Sequence, residues 1–352
     1  MTTPPSPRAG RAQTVLGLVA PESLGLTLPH EHLFVDLRFL YREPSAGHAR
    51  GHEREPVALG NLYEINYDWF SNLDNLSLTD EATAIEEAGL FRRDGGRTLV
   101  DPTTAGIGRN PLALQRVARA TGLHVIMGSG YYTEPAHPPG LAAATEDALV
   151  REIVRDVVDG AGDTGVRAGL IGEVGCSWPW TLNERKSVRA AALAAKQTGA
   201  PLMIHPGRHQ TAPEAHLEEI RGAGLDLRRV IMCHIDRTVS DRARLKAIAD
   251  TGCYLEYDLF GLEVSHYPMS DFEIPSDAER MRQILWLMEQ GHGRQILLAH
   301  DICFKVRLVR YGGHGWAHIL RRIVPRLRRK GVGEKEIWAL IAENPTRAVT
   351  FA

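Results

Sequence analysis

His30 and His32 flank a single glutamate, and in an extended chain that spacing puts both imidazoles on one face while Glu31 turns away. Such a pair can reach one cation. Glu173, His205, His234 and Asp301 also sit at the ends of short apolar runs. Imidazole and carboxylate donors without cysteine suit Zn²⁺, Mn²⁺, Fe²⁺ or Co²⁺ better than Ca²⁺, with zinc the default choice. Two such cations sharing a water lower its pKa toward neutrality and make a nucleophile for electrophilic carbon or phosphorus. His-x-His alone is weak, because hydrogen-bonded core or surface histidines produce it too. What carries the reading is the joint placement, since independent histidines have no reason to gather at equivalent ends of separate runs.

Eight apolar, β-rich runs recur at 25–33, 97–103, 124–130, 169–175, 200–207, 229–236, 253–259 and 295–301. Segments with apolar residues at three- and four-residue intervals separate most of them, usually ending in glycine, which is the pattern of alternating βα units. Eight such units predict an α/β fold, a single-domain (β/α)₈ TIM barrel, whose active site belongs at the C-terminal ends of its strands. The metal-capable residues fall at those ends in five of the eight runs. Residues 1–12 are expected to form a disordered tail and 13–352 the barrel. Two stretches break the rhythm, 37–77 and 259–276, and long barrel loops usually serve the site. For 37–77 a plug at the barrel bottom is an equal alternative to a lid or oligomer contact.

The 352 residues are 43% hydrophobic and 24% charged, as in a globular protein, and the formal charge of −2 provides no basic field for nucleic acid. A small-molecule partner is expected. The N-terminus lacks the apolar stretch of a secretory signal, and no run approaches membrane-spanning length, so a cytoplasmic protein is expected. Cys176, Cys233, Cys253 and Cys303 form no Cys-x-x-Cys pair and read as reduced thiols. Cys233 should face away from His234 into the core, and no histidine partner marks Cys176 or Cys303 as a nucleophile.

The segments LPHEH, IGEVGCSWP, IHPGR, CHIDRT, GCYLEYDLFG, LLAHDI and YGGHGWAHIL resemble the phosphotriesterase family of the amidohydrolase superfamily, on its phosphotriesterase-related branch. The resemblance runs from about Thr14 to the C-terminus. It implies two divalent metal ions per chain, with His30, His32 and Asp301 holding the buried one and His205 and His234 the more exposed one. It also implies that Glu173 bridges them where phosphotriesterases use a carbamylated lysine. A carboxylate supplies the same negative charge without CO₂. Asp301 then has a second, catalytic role, passing a proton from the bridging hydroxide to the leaving group.

Lysine-bridged members cleave phosphotriesters and other relatives are lactonases, but among Glu-bridged relatives the vertebrate phosphotriesterase-related proteins are associated with amide hydrolysis of N-acetyltaurine and related N-acyltaurines. The resemblance therefore implies the amide of a small N-acyl amino acid or N-acyltaurine as substrate, with lactone or phosphotriester hydrolysis on the same site as the alternative and a non-catalytic metal-binding barrel as a further one. Relatives are often dimers, which implies a possible homodimer. An anionic substrate end calls for a forked guanidinium, and Arg208 and Arg237 follow His205 and His234 on the correct face. Lys305 is a weaker choice. Tyr131, Tyr132 and Tyr257 close strands 3 and 7 and are expected to line the pocket or donate to the substrate carbonyl, with packing as the alternative. Trp178 and Trp180 could wall it or stiffen their loop.

Overall fold

Successive residues of the apolar runs pack on opposite sides. Leu99, Val125, Leu202, Val230 and Leu255 join a large cluster with the helices, whereas Val100, Ile126, Met203, Ile231 and Leu297 pack with one another. The second set fills a barrel. The computed structural model, which describes residues 8–44, 47, 51–271 and 273–352, has these strands in chain order: β1 (Thr27–Leu28), β2 (Thr98–Asp101), β3 (His124–Met127), β4 (Ile171–Gly175), β5 (Leu202–His205), β6 (Val230–Met232), β7 (Tyr254–Tyr257) and β8 (Ile296–Leu298).

Parallel pairing links β1 to β2 to β3, and β4 through β8 in order. Main-chain bonds close the two remaining seams. Gly169 N–H donates to Met127 O (2.9 Å) and Gly175 N–H to Tyr131 O (3.0 Å), while Asp301 N–H reaches His30 O and His32 N–H reaches Ile302 O, both at 3.3 Å. The barrel is thus complete, in one domain. β4 carries a register shift between Ile171 and Val174, which re-aims the side chain between them.

Seven helices return the chain to the next strand or cover the barrel wall: α1 (Glu81–Arg93), α2 (Pro111–Thr121), α3 (Glu146–Val158), α4 (Leu182–Thr198), α5 (Ala212–Gly222), α6 (Arg242–Asp250) and α7 (Asp277–Glu289). Their starts are written locally. Asp80, Asn110, Thr145, Thr181, Asp241 and Ser276 each accept a main-chain N–H of the first turn. Gly122 (φ +69°) and Gly199 (φ +75°) end α2 and α4 in the left-handed conformation.

Residues 1–7 of the expected tail lie outside the described residues, and the rest of it is tied down. Gly10 N–H donates to Phe351 O (3.0 Å), and Ala12–Thr14 pairs with Gly17–Val19 in a hairpin. The long loop after β1 packs one short helix, Leu62–Tyr67, and meets the loop after β7 through Arg42, which donates to Pro268 O (2.7 Å), and through Tyr67 stacked on His266 at 4.9 Å. Among the described residues no helix is long and apolar enough to cross a membrane.

Candidate metal centre

The C-terminal strand ends bring all six expected donors to one point. Glu173, on the irregular part of β4, occupies the middle: its Oε2 lies 2.9 Å from His205 Nδ1, 3.4 Å from His234 Nε2 and 3.6 Å from His30 Nε2, and its Oε1 lies 3.4 Å from His32 Nε2. Asp301 Oδ1 stands 3.2 Å from His32 Nε2 and 3.5 Å from His30 Nε2. Candidate ligand atoms of His30, His32 and Asp301, and of His30, Glu173 and His234, lie within 4.8 Å of one another in each set. All are buried except Asp301, whose side chain is 15% exposed.

Partners behind the imidazoles set which nitrogen faces inward. His30 Nδ1 sits 3.0 Å from Glu256 Oε2 and 3.3 Å from Asp258 Oδ2, leaving a buried Nε2 with no hydrogen-bond partner. Thr103 Oγ1 donates to Phe34 O (3.1 Å), so it accepts the Nδ1–H of His32 at 2.7 Å. His234 Nδ1 takes Asp258 Oδ1 at 2.8 Å. His205 turns Nδ1 to Glu173 with the Arg237 donor behind it at Nε2, and the other three histidines therefore present Nε2 lone pairs to the centre. That is the tautomer set a divalent cation needs, and an orphaned buried imidazole nitrogen between two carboxylates fits a cation better than a neutral void.

The electrostatics agree. Burial works against a charged Glu173, yet hydrogen bonds from His205 and His234 and the charge near His30 hold its pKa well below the carboxylate range. Burial also opposes protonation of His32 and His234, but Asp301 and Glu173 hold His32 up at about 10, and Asp258 holds His234 up at about 9. Burial and the neighbouring His234 push His205 well down. Without a cation the excess negative charge is met by protons, so a cation displaces protons when it binds.

Two candidate ligands adopt left-handed backbone, His234 (φ +52°) and Asp301 (φ +48°), a conformation that costs a side-chain-bearing residue about 1 kcal/mol or more. Glu31 supports the second. Its carboxylate accepts His300 N–H (2.9 Å) and Ile302 N–H (3.1 Å), on either side of Asp301, and contacts His300 Nδ1 at 2.6 Å.

A cleft opens beside the centre, walled by Leu37, Leu40, Trp69 and Phe70 from the first long loop and by Leu259 and Tyr267 from the second. The 37–77 segment thus contributes to the mouth. Arg208 and Arg237 line the same cleft: Arg208 Nε donates to Tyr267 OH (2.6 Å), both guanidiniums stand 5.9 Å from the Tyr267 ring, and Arg237 Nη2 lies 3.3 Å from His205 Nε2. Tyr132 OH is 3.3 Å from His205 Nδ1.

Tyr131 and Tyr257 correct the expectation. Glu256 and Asp258 both face the metal ligands, so the residue between them on β7 must face out, and Tyr257 OH donates to Gln283 of α7 at 3.3 Å. Tyr131 precedes the inward Tyr132 and packs edge-on to His137, 6.4 Å away, with Glu152 among the charges acting on its hydroxyl. Lys305 is engaged by Asp74 at 2.6 Å. Trp178 stacks on His209 and Trp180 packs at a tilt on His216, both stiffening their loop. All four cysteines are buried and free. Cys233 is core and also touches His30, while Cys303 lines the cleft.

Sequence reasoning missed Thr103, Glu256, Asp258 and Tyr267. Glu256 and Asp258 carried a readable signal, two acids at strand spacing at the end of an apolar run. Tyr267 carried none, because it comes from an irregular loop.

The model of the phosphotriesterase family matches residues 10–349. The chain is 42% identical to the human N-acetyltaurine hydrolase over 345 residues, covering 97% of this chain and 99% of that one. It is equally similar, 42% over 347 residues with 97% and 99% covered, to the phosphotriesterase-related protein of Nematostella vectensis. Among solved structures, a resiniferatoxin-binding protein from Rhodobacter sphaeroides superposes with a TM-score of 0.95 at 37% identity, covering 99% of this chain and 98% of that one.

Proposed function

Because the chain belongs to the phosphotriesterase family and is a metal-dependent hydrolase of small molecules, we propose that it binds two divalent metal ions, zinc by default, and cleaves the amide of a small N-acyl amino acid or N-acyltaurine. The observation that carries this is the position of Glu173, within 3.6 Å of a nitrogen of all four histidines. A single carboxylate so surrounded supports a bridge between a pair held by His30, His32 and Asp301 on one side and by His205 and His234 on the other.

When bound, such ions supply an acidified water and a Lewis-acid contact to the carbonyl oxygen. The chain's own residues do the rest. Asp301, the only ligand with a partly exposed carboxylate, is placed to hold the proton released by the water and deliver it to the leaving nitrogen. Arg208 and Arg237 face the cleft as receptors for a sulfonate or carboxylate, with Tyr267 fixing their planes. The apolar and aromatic walls exclude water and suit a short acyl group. The names of the relatives favour an amide over a lactone or phosphotriester.

The test is a rate comparison on N-acetyltaurine, N-acetyl amino acids, lactones and triesters, before and after chelation and after re-addition of zinc, manganese or cobalt. About two metals per chain and amide turnover abolished by chelation are expected. A chain with no metal affinity, or one that turns over only lactones or triesters, overturns the reading.

A further inference from the structure

Behind the cleft wall, the loop after β8 buries a guanidinium that no carboxylate pairs with directly. Arg307 is 5% exposed, and among the described residues no Asp or Glu forms an ion pair with it. Trp69 covers it at 4.5 Å and Phe304 at 4.9 Å, measured to the ring centres. Ring contacts satisfy only the flat face, whereas the N–H donors lie in the guanidinium plane. Nη1 and Nη2 of Arg307 are both buried without an acceptor.

Further unpaired donors gather around it. Arg280 of α7 gives Nε to Asp236 (2.8 Å) and Nη1 to Asp277 (2.9 Å) and Leu262 O (3.0 Å), and its buried Nη2 has no partner. Trp69 Nε1, on the ring that covers Arg307, is likewise buried and unpaired. Cys303 and Asp301 act on Arg307 through space, as do Arg280 and Tyr267 of the cleft. One unpaired acceptor stands on the same side, His314 Nε2, packed against Gly261 next to Leu262. Water would satisfy such a mixed set. The charge is what selects otherwise: Arg280 already has two carboxylates, whereas Asp301, the carboxylate that acts on Arg307, makes no ion pair with it and faces His30 and His32, so a buried positive charge is left without a direct partner, and ring contacts do not return that cost.

We propose that Arg307, with Arg280 Nη2 and Trp69 Nε1, forms a buried binding site for a small monovalent anion. It is filled by a free halide or by the sulfonate or carboxylate end of a ligand in the adjoining cleft, which shares the Trp69 and Phe304 walls.

Crystals soaked in sodium bromide and the melting temperature in sodium chloride against sodium gluconate, at equal ionic strength, test the free-ion source. A bromide anomalous peak at Arg307 and a halide-specific rise of about 2 °C at ten times the dissociation constant are expected. Arg307→Met should abolish that rise and melt no lower than the wild type in gluconate, because the charge without a direct partner is gone. Co-crystals with taurine test the second source: its sulfonate at Arg307, displaced by bromide, supports the site equally. If Arg307→Met does not fold, the wild-type crystals and melts decide. Water alone at Arg307 in every soak, or a bromide peak with identical melting in both salts, overturns the proposal. Because the halide arm reads melting and density rather than turnover, its failure leaves the amide-hydrolysis reading untouched.

Discussion

Glu31 and His300 meet at 2.6 Å across the seam between β1 and β8, and the same carboxylate accepts the main-chain N–H groups on both sides of Asp301. His300 Nε2 accepts Ile319 N–H at 3.1 Å, so the imidazole proton is on Nδ1, pointing at Glu31. The residue between the candidate ligands His30 and His32 therefore positions a third, Asp301. Glu31→Gln should weaken metal affinity by about 10–100-fold, the usual effect of losing a supporting partner. Glu31→Ala, which strands three buried donors, should also cost about 3 kcal/mol of stability. Metal titration and urea unfolding of the two variants, side by side, separate these effects. Unchanged affinity in both would remove Glu31 from the site's support.

Glu173→Gln keeps the shape of the bridge and removes its charge. The expected result is a drop from about two metals per chain to one or none, with turnover down by more than about 100-fold. Metal analysis of the purified variant checks the first outcome without reference to substrate. Full stoichiometry would mean that Glu173 does not bridge.

Arg208 and Arg237 should reveal the charge of the substrate. Arg208→Met and Arg237→Met are expected to raise KM for an N-acyltaurine by about thirtyfold, corresponding to about 2 kcal/mol for a lost charge-assisted contact. Hydrolysis of a neutral N-acyl amine should hardly change. Equal losses on both substrates would assign the arginines to structure.

His216 offers a pH test away from the metals. Burial between Trp178 and Trp180 pushes its pKa down to about 3, and as a neutral ring it accepts Gly207 N–H at Nε2 (3.2 Å). The unfolded chain takes up this proton near the ordinary value of 6.5, the folded chain only near 3. The unfolded state therefore binds more protons throughout that window, and stability falls as pH drops from 6.5 toward 3, by about 1.4 kcal/mol per unit from this one group. His216→Gln keeps an acceptor for Gly207 and should flatten the slope by that amount. Identical slopes in the two proteins would place the titration elsewhere.

Much of this arrangement was legible in the residues. The eight strands were readable because each is a short apolar run bounded by turn residues, and the gathering of the six candidate donors because they fall near the ends of those runs. The tyrosines misled because the position after or at the end of a strand does not tell which side a residue takes. On β7 the flanking Glu256 and Asp258 decide that Tyr257 faces α7, and their inward role depends on His30, more than 200 residues away in the chain. The place of Arg208 and Arg237 in the cleft was foreseeable from their strand ends. Tyr267, which orients them, was not, since its place depends on how the 259–276 loop folds over the barrel.

Five of the six candidate ligands lie at or just beyond strand ends and Glu173 lies within β4, while Leu37, Leu40, Trp69, Phe70, Leu259 and Tyr267 of the cleft wall come from two loops joined by the Arg42–Pro268 bond and the Tyr67–His266 stack. Selection can therefore act on the two parts separately. Loop substitutions can exchange one acyl group for another while the donor cage and the two arginines stay as they are, and laboratory libraries confined to 37–77 and 259–276 would explore new substrates without discarding the chemistry.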